Sequence, residues 1–402
     1  MAENPYTTIF ANVNGHRQSY YDRWIHDKPL VLNPDRAYEL AELHRILHVC
    51  ALHYVEHYRD WLDIIPYDEV VLETLEYCER YPFRAGTYRP DILFCDDGGI
   101  RVCEITSRFF GNGYFLTYYY DEAARVKGNA AGVDDAVSQI EEMLAYFAGM
   151  AKGKKRLVVL KSADRSDSIR LYVPFYEALG LKPTILESDQ VEAGKALMEG
   201  SFVVSALNQV DLAALSPETR HLMADVECRN DFRTIYLLHD KRFFRLFFED
   251  SFTGAFLTDG ETQFLRAHVV PTFLPHADPD EFARAKLDKD AFILKHRCLG
   301  KSEKVHAGIL CTQAEWQDLF GPSTVDDMIL QPFQRQKVFP AEWEGQRYDD
   351  YACGSLLVVD DRYFGPGIVR TSSCPVINKT DDRKIAVITT AQACRFEACY
   401  EL

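Results

Sequence analysis

The chain has 402 residues, 47% hydrophobic and 13% aromatic, and a formal net charge of −16. That length exceeds one small core and predicts two or three sub-domains. The acidic balance, without a basic block, excludes non-specific nucleic-acid binding, which depends on Lys and Arg neutralising phosphates, but it leaves room for a nucleotide.

No run of 18 apolar residues occurs, so no membrane-spanning helix is expected, and the first 21 residues do not read as a signal segment. The eleven cysteines are odd in number and scattered, with no C-x-x-C pair. They read as reduced thiols of a cytoplasmic protein, not as zinc ligands or a disulfide scaffold.

In chain order, Asn33 or Asp35 is placed to cap a first helix, with Pro34 in its first turn. Leu40, Leu43, Leu47, Ala51, Tyr54 and Val55 recur at helical spacing and mark its buried face. A second helix is expected over 67–80. His44/His48 and His53/His57 have the i,i+4 spacing of metal ligands, but no H-E-x-x-H arrangement accompanies them, so half-buried histidines are the expectation. A β-hairpin follows over 88–105. Its apolar strands flank the turn Asp96-Asp97-Gly98-Gly99, whose glycines supply positive φ. Cys95 and Cys103 lie on its two strands and could face each other. Next come a loop, 107–120, with Gly111, Gly113 and a run of aromatics, and a helix over 134–150.

The strands 157–160, 182–186 and 202–206, with a helix over 169–179, alternate as a parallel Rossmann-like unit from about 153 to 240. It lacks G-x-G-x-x-G and does not read as a dinucleotide site. An amphipathic helix is expected over 241–248 and another over 261–268, joined to later strands by the connector Val269–Thr272. Short strands then dominate: 292–295, 305–309, 328–331, 354–360, 363–370 and 376–378. The domain reading is 1–150 for N-terminal helices plus hairpin, 151–240 for the Rossmann-like unit and 241–402 for the remainder. The role of residues 1–33, with Tyr20, Tyr21 and Trp24, is left open between packing and an interface; oligomeric state is open too, a homo-oligomer included.

Four constellations carry chemistry. In the hairpin, Asp91 and Glu104 come together as two hard oxygen anions, which suits Mg²⁺ held jointly with substrate phosphates. Lys295 ends a strand before the polar loop Leu299–Gly308, where Lys301 and Lys304 add charge; such a lysine is a fixed cation for phosphate. Gln331-Pro332-Phe333 reads as a hinge whose backbone could meet an adenine edge between aliphatic walls. Arg370 ends a strand beside a polar loop, where it could stabilise a phosphoryl group or oxyanion.

Together these elements resemble the ATP-grasp superfamily. Arg89, Asp91, Glu104 and Arg108 match the R-x-D…E-x-N-x-R magnesium motif, and Lys241 resembles the first ATP-contacting lysine, before the Val270-Pro271-Thr272 turn. Lys295 resembles the second such lysine, and Gln331 to Phe333 the adenine hinge. The acid hairpin precedes the lysines, which looks like the circularly permuted group that includes glutathionylspermidine-synthase-like ligases. Glu315-Trp316, the segment from Gly365 to Arg370, and Asn378 look like that group too. The resemblance implies an α/β (α+β), circularly permuted ATP-grasp fold with ATP and Mg²⁺ as cofactors and small-molecule acid and amine substrates.

It further implies carboxylate–amine ligation, the acid being an amino acid or small peptide and the product an amide, γ-glutamyl among them, formed through an acyl phosphate. Asp91 and Glu104 would hold the metal. Lys241, Lys295 and Lys301, with Gln331 and Phe333, would hold the nucleotide. Arg370 would meet developing charge and Arg108 would anchor the acid. Thr106 stands where the family has a metal-ligating Asn, which leaves a second Mg²⁺ to Asn112 or Asn378. The alternative is a nucleotide-binding or scaffold protein with a decayed site.

Overall fold

The structure, a computed structural model, describes residues 25–118, 139–163, 169–321, 325–343, 345–377, 383–393 and 398–401. Tyr20, Tyr21, Trp24, Tyr119, Tyr120, Asn378, Cys394 and the start of the helix expected from 134 lie outside them. The chain is an α/β fold of mixed helices and sheets.

A short strand, β1 (Leu30–Leu32), leads into the first helix, α1 (Pro34–His57). The Asn33 side chain caps α1 by accepting from the Arg36 amide at 2.8 Å. Its buried face holds Leu40, Leu43, Leu47, Ala51, Tyr54 and Val55, as the periodicity predicts, with Ile46 and Cys50 beside them. The histidines are packing groups: His48 meets the Tyr88 hydroxyl at 2.8 Å, His44 stacks on Tyr363, and His53 lies against Phe256. A second helix, α2 (Glu69–Cys78), follows.

The hairpin strands are β2 (Thr87–Phe94) and β3 (Ile100–Thr106). Asp91 sits in mid-strand, not at the strand's start, and pairs directly with Glu104; the register then shifts before Ile92↔Val102, so Cys103 occupies a bulge.

The parallel unit is β4 (Arg156–Lys161), β5 (Lys182–Glu187) and β6 (Phe202–Ala206), with β4 central. Helices α3 (Ile140–Met150) and α4 (Ile169–Ala178) join it through an aromatic core of Phe110, Phe115, Phe147, Tyr172 and Phe175.

A small antiparallel sheet comprises β7 (Phe292–His296), β8 (Val305–Ala307) and β9 (Met328–Pro332), in the order β8-β7-β9. Strand alternation sends Phe292, Leu294, Met328 and Leu330 into a separate core with Phe282 and Trp316. Those two come from helices α6 (Pro279–Leu287) and α7 (Gln313–Asp318), which follow α5 (Asp259–His268). Trp316 Nε1 donates to Ala285 O at 2.9 Å, and Glu315 forms a capping box with Thr312.

The last strands return to the hairpin. They are β10 (Phe339–Trp343), β11 (Gln346–Val359), β12 (Arg362–Pro366), β13 (Val369–Ser372) and β14 (Arg383–Ile385). In the large sheet the order is β14-β13-β11-β2-β3, with β10 and β12 also on β11. Segments far apart in sequence therefore share one sheet. Strands β15 (Val387–Thr389) and β16 (Tyr400–Glu401) flank β1 in parallel.

Four local expectations are corrected. Residues 241–248 do not form an amphipathic surface helix: Phe243, Phe244, Leu246 and Phe247 are fully buried around a four-residue helix, Phe243–Leu246, and the cations between them are paired inward. The strand expected through Ile309 ends at Ala307 and becomes a 3-10 turn, because Gly308 packs so tightly that a Cβ there would lie 1.7 Å from Lys289 O. The strand expected over 363–370 breaks at Gly367, where a Cβ would meet Ser355 Oγ at 2.5 Å. Val376 and Ile377 form a turn instead of a strand. No helix among the described residues is long and apolar enough to cross a membrane.

Candidate functional site

The large and small sheets face each other across a cleft lined by residues of both. The segment Val269–Phe273 sets their separation. Val270 N–H donates to Val102 O of β3 at 3.0 Å, and Phe273 exchanges two backbone hydrogen bonds with Leu330 of β9. Gln331 adds a side-chain tie, donating to Cys103 O at 3.2 Å and to Thr272 Oγ1 at 2.9 Å.

Alternation along each strand decides what the cleft receives. On β2, Ile92 and Phe94 turn toward α1 while Asp91 and Leu93 line the cleft. On β7 and β9, Ile293, Lys295 and Gln331 line it while their neighbours enter the Trp316 core. Glu104, Arg370, Lys301 and Phe333 complete the set. Seven of the nine residues singled out in the sequence thus meet in one cleft. Lys241 and Arg108 are not among its walls. Lys241 is buried behind it, donating to Leu299 O at 2.7 Å and pairing with Glu104 at 3.6 Å. Arg108 is buried, stacked over Phe109 at 4.1 Å and beside Gly300.

The two carboxylates have unequal surroundings. Asp91 is 2% exposed and accepts from Arg89 Nε at 2.7 Å, Arg89 Nη2 at 3.0 Å and Arg370 Nη2 at 2.6 Å. Burial pushes this carboxyl toward its neutral form, but Arg370 and Arg89 outweigh that and hold it below its ordinary value. Glu104 is more open, and among the described residues its ion pair is the longer one to Lys241.

Cations outnumber anions here. Among the described residues, Arg370 and Lys295 in the walls and the buried Arg89 and Lys241 near them are set against two carboxylates, Asp91 and Glu104. Lys295 is buried and forms no ion pair among the described residues, and Arg370 Nε finds no hydrogen-bond partner among them. A buried cation without a counter-ion is costly, so the cleft is suited to an anionic ligand.

These surroundings bear on an Mg²⁺–nucleotide pair. The surplus of cations fits a polyphosphate. Glu104 fits a metal that draws most of its ligands from phosphate and water, since Mg²⁺ is held through one or two carboxylates. Asp91 fits less well as a ligand, because guanidinium donors already occupy both its oxygens. Thr106 lies opposite Arg89, and the Asn112 carbonyl accepts from Arg89 Nη1 at 3.2 Å.

The loop after Lys295 has the backbone of a glycine-rich turn without the glycines. Lys301, Ser302 and Lys304 all have left-handed φ, between 49° and 60°. Ser302 Oγ donates to Ile377 O, tying this loop to the far wall.

Sequence reasoning missed three contributors. Gln336 lines the cleft with its amide nitrogen on Pro375 O at 3.1 Å; the alternation Gln334, Gln336 after the hinge was its only signal. The other two are Cys103 and Cys353. Cys103 does not face Cys95, which instead bridges to Gln336. Cys103 and Cys353 both line the cleft, and the neighbouring Cys353, ahead of the Lys295 charge, draws Cys103 below the ordinary thiol value against the opposing effect of burial. Arg370 Nη2 lies 3.5 Å from Cys353 Sγ.

Among known protein families, one described as the AnkG N-terminal domain matches residues 43–237. No curated protein matches the sequence. Among solved structures, the chain is similar to a glutathione synthetase-like effector from Globodera pallida in its apo form. Identity is 12% and the TM-score 0.53, with 91% of this chain and 90% of that chain covered. The likeness covers nearly all of both chains and supports a distant ATP-grasp-like fold.

Proposed function

We propose that the protein is an ATP- and Mg²⁺-dependent carboxylate–amine ligase working in the cleft between the two sheets, with the permuted motif order of the ATP-grasp group that its sequence resembles. One observation carries the reading: Lys295, buried and in no ion pair among the described residues, lines with Lys301 and Arg370 a cleft that also has the apolar lining Ile293, Pro332, Phe333, Val376 and Ile377. The cations suit phosphates and the apolar lining suits a nucleobase.

Bound Mg·ATP supplies a transferable phosphoryl group. Glu104 would hold the cation, with Lys241 behind it fixing the carboxylate. Lys295 and Lys301 would neutralise phosphate charge. Arg370, held in place by Asp91, would face the charge that develops as a substrate carboxylate is phosphorylated and an amine then displaces phosphate. Catalysis of this kind is mainly positioning and charge neutralisation. The acid is an amino acid or short peptide in this reading, and the protein acts in the cytoplasm.

Phosphate release from Mg·ATP across a panel of amino-acid and peptide pairs, with mass spectrometry of products, tests the proposal. Release that depends on a pair, with an adduct lighter by one water than its parts, is the expected result. Thermal stabilisation by Mg·ATP without release under any pair would support the second reading, a binding protein, which the occupied state of Asp91 favours.

A further inference from the structure

The residues that follow Phe333 fold back along the large sheet. Gln336 forms an antiparallel bridge with Cys95, and Lys337 N–H donates to Phe94 O at 2.8 Å. Asp96 N–H donates to Arg335 O at 3.1 Å. The Gln336 backbone is thereby fixed to the turn end of the β2–β3 hairpin. Its side chain lines the cleft with Phe333, Pro375, Val376 and Ile377.

The side-chain amide has one workable orientation. Pro375 O can only accept, so Nε2 is the atom that meets it, at 3.1 Å. Oε1 then points away from that carbonyl. It is buried, and no donor among the described residues reaches it. Lys295, Lys301, Ser302 and Arg370 share the cleft with it, and none of them bonds to it. A buried acceptor left without a donor is costly, so the place is suited to a ligand that brings one.

We infer that Gln336 Oε1 accepts from the exocyclic amino group of the nucleobase and makes the cleft select a 6-aminopurine over a 6-oxopurine. This inference rests on the nucleotide reading above. The apolar walls suit the faces of any planar base and do not distinguish its edges. The free oxygen does: an amino group donates to it, whereas a 6-oxo group sets a second acceptor against it. Sites built around one hydrogen bond reject analogues that leave their polar group unpaired. A substrate ammonium would also donate, but apolar walls and a surplus of cations suit a neutral donor better.

The test is calorimetric titration of the full-length protein, in Mg²⁺, with three nucleotides that differ at the purine 6-position. They are ATP, inosine triphosphate and purine riboside triphosphate, which carries hydrogen there. Wild type should bind ATP about tenfold more tightly than purine riboside triphosphate, and inosine triphosphate more weakly still. In Gln336→Met, ATP should fall to the level of purine riboside triphosphate, whose own affinity stays unchanged. A merely structural role would weaken all three alike, and that result overturns the inference. So does discrimination that survives in the variant, or a rise in substrate KM with the nucleotide affinities unmoved. Equal binding of the three by wild type overturns it without any variant and leaves the nucleotide site standing. Gln336→Leu replaces the methionine variant if that one fails to fold. If wild type binds none of the three, the ligase reading falls and this inference with it.

Discussion

Replacing Asp91 by Asn separates a structural job from a metal-binding one. Asp91 accepts three hydrogen bonds from two guanidiniums and is 2% exposed. An amide keeps one acceptor oxygen, turns an N–H₂ toward an arginine donor and leaves two buried cations sharing no anion. Breaking a buried ion pair from one side costs about 3–5 kcal/mol. Entropy of unfolding near 2.1 cal/mol/K per residue gives about 0.8 kcal/mol/K for 402 residues unfolding together, so Tm should fall by about 4–6 °C. The assay is calorimetry in chelator, free of metal and nucleotide. A carboxylate that serves only as a metal ligand would leave Tm unchanged there or raise it, and that result would refute the reasoning.

The pH dependence has a definite sign. The folded carboxyl lies below its ordinary 3.8, so its contribution is present above that pH and lost below it. The gap between wild type and Asp91→Asn should therefore be full at neutral pH and narrow as pH drops below about 4.

Other outcomes follow from the same geometry. Lys295→Ala should weaken nucleotide binding at least about tenfold by calorimetric titration, about 1.4 kcal/mol, without lowering the ligand-free Tm, since it removes an unpaired buried cation; unaltered affinity would remove Lys295 from the site. Gly308→Ala forces a Cβ against Lys289 O and should cost about 1–3 kcal/mol, seen first as faster hydrogen exchange in β7 and β8. Burial opposes ionisation of Asp240, but Arg242 and Arg297 bring it down to about 2, so its contribution, about 2 kcal/mol, is present above 3.8 and lost toward pH 2. In Asp240→Asn, urea unfolding across that window should lose the matching part of its acid slope.

The parts of the site legible in the sequence are the local ones. Asp91 and Glu104 are brought together by a single turn, and Lys295 and Gln331 fall on the cleft side of short strands whose period-2 pattern is plain. What escaped depends on partners far along the chain. Nothing near Asp91 announces Arg370, which lies 279 residues away, and nothing near Cys103 announces Cys353. Residues 241–248 misled for a related reason. Lys241, Arg242 and Arg245 look like a solvated helix face, yet they pair with Glu104, Asp240 and Asp278. A strand run such as 363–370 likewise conceals the close approach at Gly367 that breaks it.

The pairing of β2 with β11 also constrains how the chain comes to be folded. A ribosome releases β2 and β3 long before β11, so during synthesis the hairpin exists with one long edge open and with Asp91 lacking its Arg370 partner. Sheets closed by such distant contacts form slowly and expose unpaired edges while they wait. The final strands thus act as a completion signal: a chain cut before residue 346 lacks the partner of β2, and it should aggregate or be degraded instead of persisting as a folded fragment.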